Sequence, residues 1–229
     1  MNETLQNKII IRAINLTKDY QTESQTVRAV NNVNLEVKSG EFITFVGRSG
    51  SGKTTLLNLI SGLDYPTEGQ ILFDGDNLDK LNQKEIISIR RKKIGIIFQS
   101  FSLLPLLSAY ENVELPLRIS GIKSTTRKKM TNKAIETVGL SHRSRHRPYE
   151  LSGGEQQRIA IARAIVNEPN LILADEPTGE LDSVNAEKIF SSFKKMVKDK
   201  GITILATTHD RTLLNLSDRV IEISDGKLV

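Results

Sequence analysis

Cysteine is absent from this chain of 229 residues, which excludes disulfides and thiolate metal sites outright. Long apolar runs are absent too. The longest, such as Leu171-Ile172-Leu173-Ala174, are strand-sized and far below the ~20 residues that cross a bilayer as a helix. The first residues lack the charged-then-apolar layout of a secretory leader, so a soluble cytosolic protein is expected. No internal repeat, low-complexity linker or heptad run is present. Aromatic residues are scarce, at 5%. None interleaves with the basic runs Arg90-Arg91-Lys92-Lys93, Arg127-Lys128-Lys129 and His142 to Arg147, which argues against a surface that stacks single-stranded nucleic acid.

Charge, by contrast, is plentiful: 26% of residues are charged, with a net excess of +5. The basic runs could attract nucleic acid or an anionic membrane, although a solvated helix face explains them as well. Short β-rich runs come first, at Ile9 to Leu16, Val33 to Val37, Glu41 to Val46 and, after the turn signal Asp64 to Gly69, Gly69 to Phe73. From about Ala109 to Ala164 apolar positions recur at helical spacing, as in Ala134, Ile135 and Val138. Strands return at Leu171 to Ala174, Thr203 to Thr207 and Arg219 to Ile223, with helices between. Strand–helix alternation predicts an α/β fold with a largely parallel sheet buried on both faces. A helical insert, about residues 100–165, divides a single domain of 1–229.

Gly47-Arg48-Ser49-Gly50-Ser51-Gly52-Lys53-Thr54 fits G-x-x-x-x-G-K-[ST], the P-loop. An apolar strand, Phe42 to Val46, precedes it and a helix-compatible run, Thr55 to Ser61, follows. Glycines let the backbone wrap phosphate without Cβ clashes, and the exposed N–H groups face the anionic oxygens. Lys53 places an ammonium against the β and γ phosphates, and the Thr54 hydroxyl can ligate Mg²⁺. A second strand, Leu171 to Ala174, ends in Asp175 and Glu176, where open α/β sheets bind ligands. Asp175 suits Mg²⁺ through water, and Glu176 suits a general base for the attacking water. Leu151-Ser152-Gly153-Gly154-Glu155 precedes a helix-like run, Gln156 to Val166, and forms a second anion-binding helix start. One ATP does not easily use two such cradles from one subunit. Two subunits in head-to-tail contact would use both.

With LSGGE in place of LSGGQ, the chain resembles the ABC ATPase family over nearly its whole length. The other motifs stand in family order: Tyr20, the P-loop with Thr55 following, Gln99 after the strand Ile94 to Phe98, the signature, Asp175-Glu176, Glu180-Leu181-Asp182 and His209. Taken singly, Tyr20 is also an ordinary surface aromatic and His209 an ordinary structural histidine; the shared order carries the inference. The resemblance implies a P-loop NTPase with a mainly parallel core sheet, an antiparallel β subdomain and a helical subdomain between Gln99 and the signature. It implies that Tyr20 stacks on adenine, that Gln99 touches Mg²⁺ and the attacking water, that Asp182 belongs to a loop crossing a dimer interface, and that His209 reaches the γ-phosphate.

Several stretches, among them Leu57 to Asp64, Phe98 to Pro105, Glu111 to Leu117 and Ala174 to Ser183, resemble a narrower subgroup. It comprises ATPases of macrolide exporters, lipoprotein release and bacitracin resistance, and the cell-division ATPase FtsE. The subgroup usually carries asparagine at the position of Glu180 and proline at that of Arg48. The implied partners are a second copy of the chain and a separate membrane permease with few spans and a large extracytoplasmic domain, at the cytoplasmic side of the inner membrane. The implied work is export, lipid or lipoprotein extraction, or force transmission, with no nucleic acid expected. The apolar run Phe101, Leu103 to Leu107 is either the permease-docking surface or core. The competing class is a soluble ABC ATPase acting on DNA or ribosomes. A single P-loop and the missing cysteines and heptads stand against it.

Overall fold

The computed structural model describes residues 8–23 and 25–229; the first residues, whose layout argued against a leader, lie outside that range. Five strands form the centre. β3 (Phe42–Val46), β6 (Ile94–Ile97), β7 (Leu171–Ala174), β8 (Thr203–Thr208) and β9 (Arg219–Ser224) join in the order β9-β3-β8-β7-β6, all parallel. The two-residue β10 (Lys227–Leu228) closes the β9 edge antiparallel.

The pleat sorts the side chains. Phe42, Ile172, Ala174, Ile204 and Ala206 face one hydrophobic core, and Ile43, Phe45, Leu171, Leu173 and Leu205 face another. This is the period-two alternation of a strand, here apolar on both faces because both are covered. The first core is completed by α3 (Ala109–Ile119), α4 (Ser124–Thr137), α5 (Gly153–Ile165) and α6 (Ser183–Lys200). Phe42 meets Phe190 and Phe193 of α6 with ring centroids 5.8 and 6.1 Å apart. The second core lies under α1 (Lys53–Ile60) and an antiparallel sheet in the order β2 (Thr26–Lys38), β1 (Ile9–Gln21), β4 (Glu68–Phe73), β5 (Asp76–Asn77). α2 (Gln83–Lys93) leads into β6, with four of its five basic residues in its last turn, where the helix dipole favours cations.

Two expected strands are longer than the sequence suggested. β1 runs Ile9–Gln21 and β2 Thr26–Lys38, as one long hairpin, with β4 at Glu68–Phe73 and β5 at Asp76–Asn77. Register shifts fall between Ala13 and Leu16, and Asn15 and Asn32 have left-handed backbone (φ 46 and 50). Such bulges break the alternation that sequence reading depends on. Helix starts also move upstream. α1 begins at Lys53 rather than Thr55, and α5 at Gly153 rather than Gln156, so both signature glycines are helical.

Candidate functional site

Chain geometry makes the Gly47–Gly52 loop glycine-dependent at two points. A Cβ on Gly47 would lie 2.3 Å from the Ile223 carbonyl, and one on Gly52 2.2 Å from the Ala29 carbonyl. Gly52 also has φ 106, a backbone state that favours glycine. The loop is held from behind, because Gly226 N–H donates to the Ser51 carbonyl (3.0 Å) and Asn31 N–H to the Gly226 carbonyl (2.9 Å). Arg48, Ser49, Gly50 and Thr54 are exposed, Thr55 is half-buried, and Ser51 is buried with its hydroxyl unpartnered. Lys53, also buried, turns back into the loop. Its Nζ donates to the Gly47 and Arg48 carbonyls at 2.9 and 3.0 Å.

The carboxyl end of β7 meets this loop. Thr54 Oγ1 donates to Asp175 Oδ2, and Thr207 Oγ1 donates to Asp175 Oδ1, both at 2.8 Å. Thr207 Oγ1 also accepts from the Glu176 N–H at 2.7 Å. One buried hydroxyl of β8 therefore fixes both acids. Glu176 has φ 43, a costly conformation for a non-glycine residue and one that tends to cluster at functional sites. Its carboxylate lies between an ammonium and an imidazole: Lys53 Nζ is 3.8 Å from Oε1 and His209 Nδ1 is 3.4 Å from Oε2. His209 follows β8 with its ring mostly exposed. Gln99 follows β6. A Cβ built on Gly179 would lie 3.6 Å from Gln99 Nε2 and 3.7 Å from Glu176 Oε2, so amide and carboxylate approach the same spot.

Tyr20, on β1, donates its hydroxyl to Asp64 Oδ2 at 2.7 Å. Lys18 Nζ stands 5.0 Å from the ring centroid and donates to Asp64 Oδ1 at 2.7 Å. Burial, then the Asp64 hydrogen bond, pushes the phenol pKa up. Burial works against the Asp64 charge, but the Lys18 and Tyr20 hydrogen bonds outweigh it and hold that carboxyl below its ordinary value.

Ser152 caps α5 in a capping box: Glu155 N–H donates to Ser152 Oγ (3.3 Å), and Ser152 N–H donates to Glu155 Oε2 (2.9 Å). Arg143 Nε is 3.1 Å from Glu155 Oε1. The Ser152 backbone bond is the main cause holding Glu155 below the usual carboxylate range. The glutamate at the fifth signature position thus has one oxygen engaged in starting the helix and the other paired with Arg143. Beside it, a Cβ on Gly153 would lie 3.7 Å from the Glu180 carbonyl, and one on Gly154 3.4 Å from Asn185 Cγ. Asp182 caps α6 by accepting from Asn185 N–H at 3.0 Å.

The expected residues therefore fall into two groups. Lys53, Thr54, Asp175, Glu176, Gln99 and His209 converge. Leu151 to Glu155 form a second surface with Glu180 to Asp182. Among the described residues, no hydrogen bond or ion pair joins that surface to Gly47–Thr55. Sequence reading missed Thr207 and Asp64; β8 carries three threonines, and no local signal singles out Thr207 among them.

The donors around Thr54 and Asp175 are oxygen and amide groups, which suit a hard divalent cation. Among the described residues no cluster of three or more His, Cys, Asp or Glu could hold a metal by itself. A cation here would share its shell with phosphate oxygens.

Residues 30–179 match the family described as ABC transporter. The chain is 43% identical over 220 residues to an ABC transporter ATP-binding protein of Bacillus subtilis, covering 96% of this chain and 95% of that protein. It is 44% identical to one of Methanocaldococcus jannaschii, with the same coverage. The dimeric structure of the latter cassette in a post-hydrolysis state, bound to ADP and Pi, superposes with a TM-score of 0.89 at 43% identity, over 95% of this chain and 96% of that one. A Clostridium perfringens cassette, part of an ABC transporter complex, gives 0.87 at 30% identity over 97% and 88%.

Proposed function

The chain belongs to the ABC transporter family of ATP-binding proteins, and on that footing we propose that it is the ATP-hydrolysing subunit of a transporter, acting as a homodimer that closes around two ATP. The observation that carries this is the convergence of Lys53, Thr54, Asp175, Glu176 and His209 at the carboxyl ends of β3, β7 and β8. The chain acts as one unit over 1–229, with its helical insert at about 100–165.

Tyr20 supports the adenine ring, and Gly47 to Thr55 wrap the phosphates. Lys53 exchanges its two loop carbonyls for phosphate oxygens and opposes the charge that grows in the transition state. Thr54, Gln99 and Asp175 would hold Mg²⁺, which would neutralise phosphate charge when bound. Glu176 takes the proton of the attacking water as the bond between the γ-phosphorus and its bridging oxygen breaks. His209 contacts the γ-phosphoryl oxygens.

Ser152, Gly153 and Gly154 offer donors on a surface apart from their own chain's P-loop, which favours their use across a dimer. Nucleotide held by both surfaces has contacts only the closed form offers, the differential affinity that any ligand-driven shift needs. Asp182 and Glu180 border the same face.

The work is done on a separate permease, for export, for extraction of lipid or lipoprotein, or for transmission of force, at the cytoplasmic face of the inner membrane. Among the described residues no helix is long and apolar enough to cross a membrane.

Glu176→Gln should retain ATP binding and lose ~10²–10⁴-fold in turnover. It should elute as a dimer from a sizing column in ATP and as a monomer without it. Near-normal hydrolysis would remove Glu176 from the chemistry, and a monomer with saturating ATP would refute the shared pocket.

A further inference from the structure

A half-buried guanidinium with no carboxylate beside it among the described residues has to find oxygen elsewhere. Arg163, in the last turn of α5, does so in the turn that follows Gln99. Its Nη1 donates to the Ser102 carbonyl at 2.6 Å and its Nη2 to the Phe101 carbonyl at 2.8 Å. Burial holds its pKa below the ordinary arginine value. The planar fork matches two successive carbonyls in a way a lysine ammonium does not.

The turn it grips is strained. Phe101 and Ser102 both have left-handed backbone, with φ 56 and 48, and neither is glycine. Ser102 N–H donates to the Ser100 carbonyl, closing a tight turn of the strained γ type. Two such residues in succession are costly, so the turn persists only while something outside it holds it. Upstream of the turn lies Gln99, whose amide nitrogen and the Glu176 carboxylate lie 3.6 and 3.7 Å from one Cβ position built on Gly179. Inside it, the Phe101 ring comes 3.8 Å from a Cβ built on Gly153, at the start of the helix that carries Arg163.

We propose that Arg163 is a positioning residue that locks the Phe101–Ser102 turn in its strained form, so that Gln99 is held over Glu176 and its placement is tied to the helix that begins at the signature. This rests on the ATPase reading of the site. The substrate is unchanged; what is added is a mechanical link from the second anion-binding surface to the first.

The test is steady-state ATPase kinetics of the full chain with Mg²⁺ titrated. Arg163→Gln should lower kcat about tenfold, the scale expected of a displaced positioning group. It should leave KM for ATP within about twofold and raise the Mg²⁺ concentration for half-maximal activity. Arg163→Lys should fall between wild type and Arg163→Gln. Ser102→Gly in the Arg163→Gln background should recover at least about half of the lost kcat, because glycine adopts this backbone freely; general loosening of the core would not respond to it. Ser102→Val keeps the guanidinium but forces a β-branched residue into left-handed backbone, and should reproduce the Arg163→Gln profile. Wild-type kcat and Mg²⁺ dependence in Arg163→Gln or Ser102→Val, or no recovery in the double variant, overturns the proposal. An inactive wild-type protein would instead refute the ATPase reading itself.

Discussion

A single hydroxyl decides how the two acids stand at the end of β7. Thr207 donates to Asp175 and accepts from the Glu176 N–H, and it is fully buried. Thr207→Val keeps shape and β-propensity but removes both bonds. An unsatisfied buried N–H costs about 1–3 kcal/mol, and here that cost falls on the residue already at φ 43. We expect a drop in Tm with kcat reduced about tenfold and ATP affinity within about twofold, read by nucleotide titration beside turnover. Turnover equal to wild type would show that Asp175 and Glu176 hold their places without it. At this scale the sequence was generous where a residue type is chemically conspicuous: Lys53 behind its glycines, or adjacent acids closing an apolar strand. It was silent where the role is relayed. Nothing in the run Thr203 to Thr208 marks one threonine as the tie between two carboxylates, because strand order, not spacing, sets β8 beside β7.

Helices begin here on acids. Glu111 and Glu155 close capping boxes on α3 and α5, Asp182 caps α6, and Asp210 caps the 3₁₀ helix Arg211–Leu216. All four carboxyls lie below their ordinary pKa. The leading cause is a backbone bond with Ser108, Ser152 or Asn185 for the first three and the Thr212 hydroxyl for Asp210. A carboxyl depressed in the folded state adds stability that is complete above its unfolded pKa and is lost as pH falls through the folded one. Stability should therefore be level from about pH 8 to 6 and decline below about pH 5, measured as Tm by circular dichroism. Glu155→Gln should reduce the acid sensitivity of α5, seen as smaller loss of amide-exchange protection along that helix. A Tm that rises on acidification would contradict this assignment. The Ser-x-x-Glu signals at Ser108 and Ser152 were open to sequence reading, although the signature was read as a glycine loop before its helix. Asn112 was not visible. Fully buried in α3, it donates to three carbonyls and accepts from Leu104 N–H, all within eight residues upstream, and no residue pattern marks an asparagine as the tie to the loop before its own helix.

Over the whole molecule, that asparagine fixes how the loop between the sheet and the helices meets solvent. The run from Phe101 to Leu107, open in the sequence between docking surface and core, divides. Leu103 packs against the helical core, whereas Leu104 is 45% and Leu106 81% exposed. With Leu104 held by its backbone and its side chain outward, Leu104→Asp should fold normally and keep its ATPase rate, and should fail to co-purify with the permease. Retained co-purification would move the contact elsewhere. The division into two cores was legible as fold class, from apolar strands alternating with helices, but the long hairpin was underestimated because bulges at Asn15 and Asn32 hide its continuity. The turn at Gly226 has one more use. It is bonded on one side to Ser51 of the P-loop and on the other to Asn31 of β2, and the chain contains no native thiol. A cysteine introduced at exposed Lys227 would take one dye at a known place, and its emission would follow the nucleotide cycle from outside the pocket without a probe ever touching the bound triphosphate.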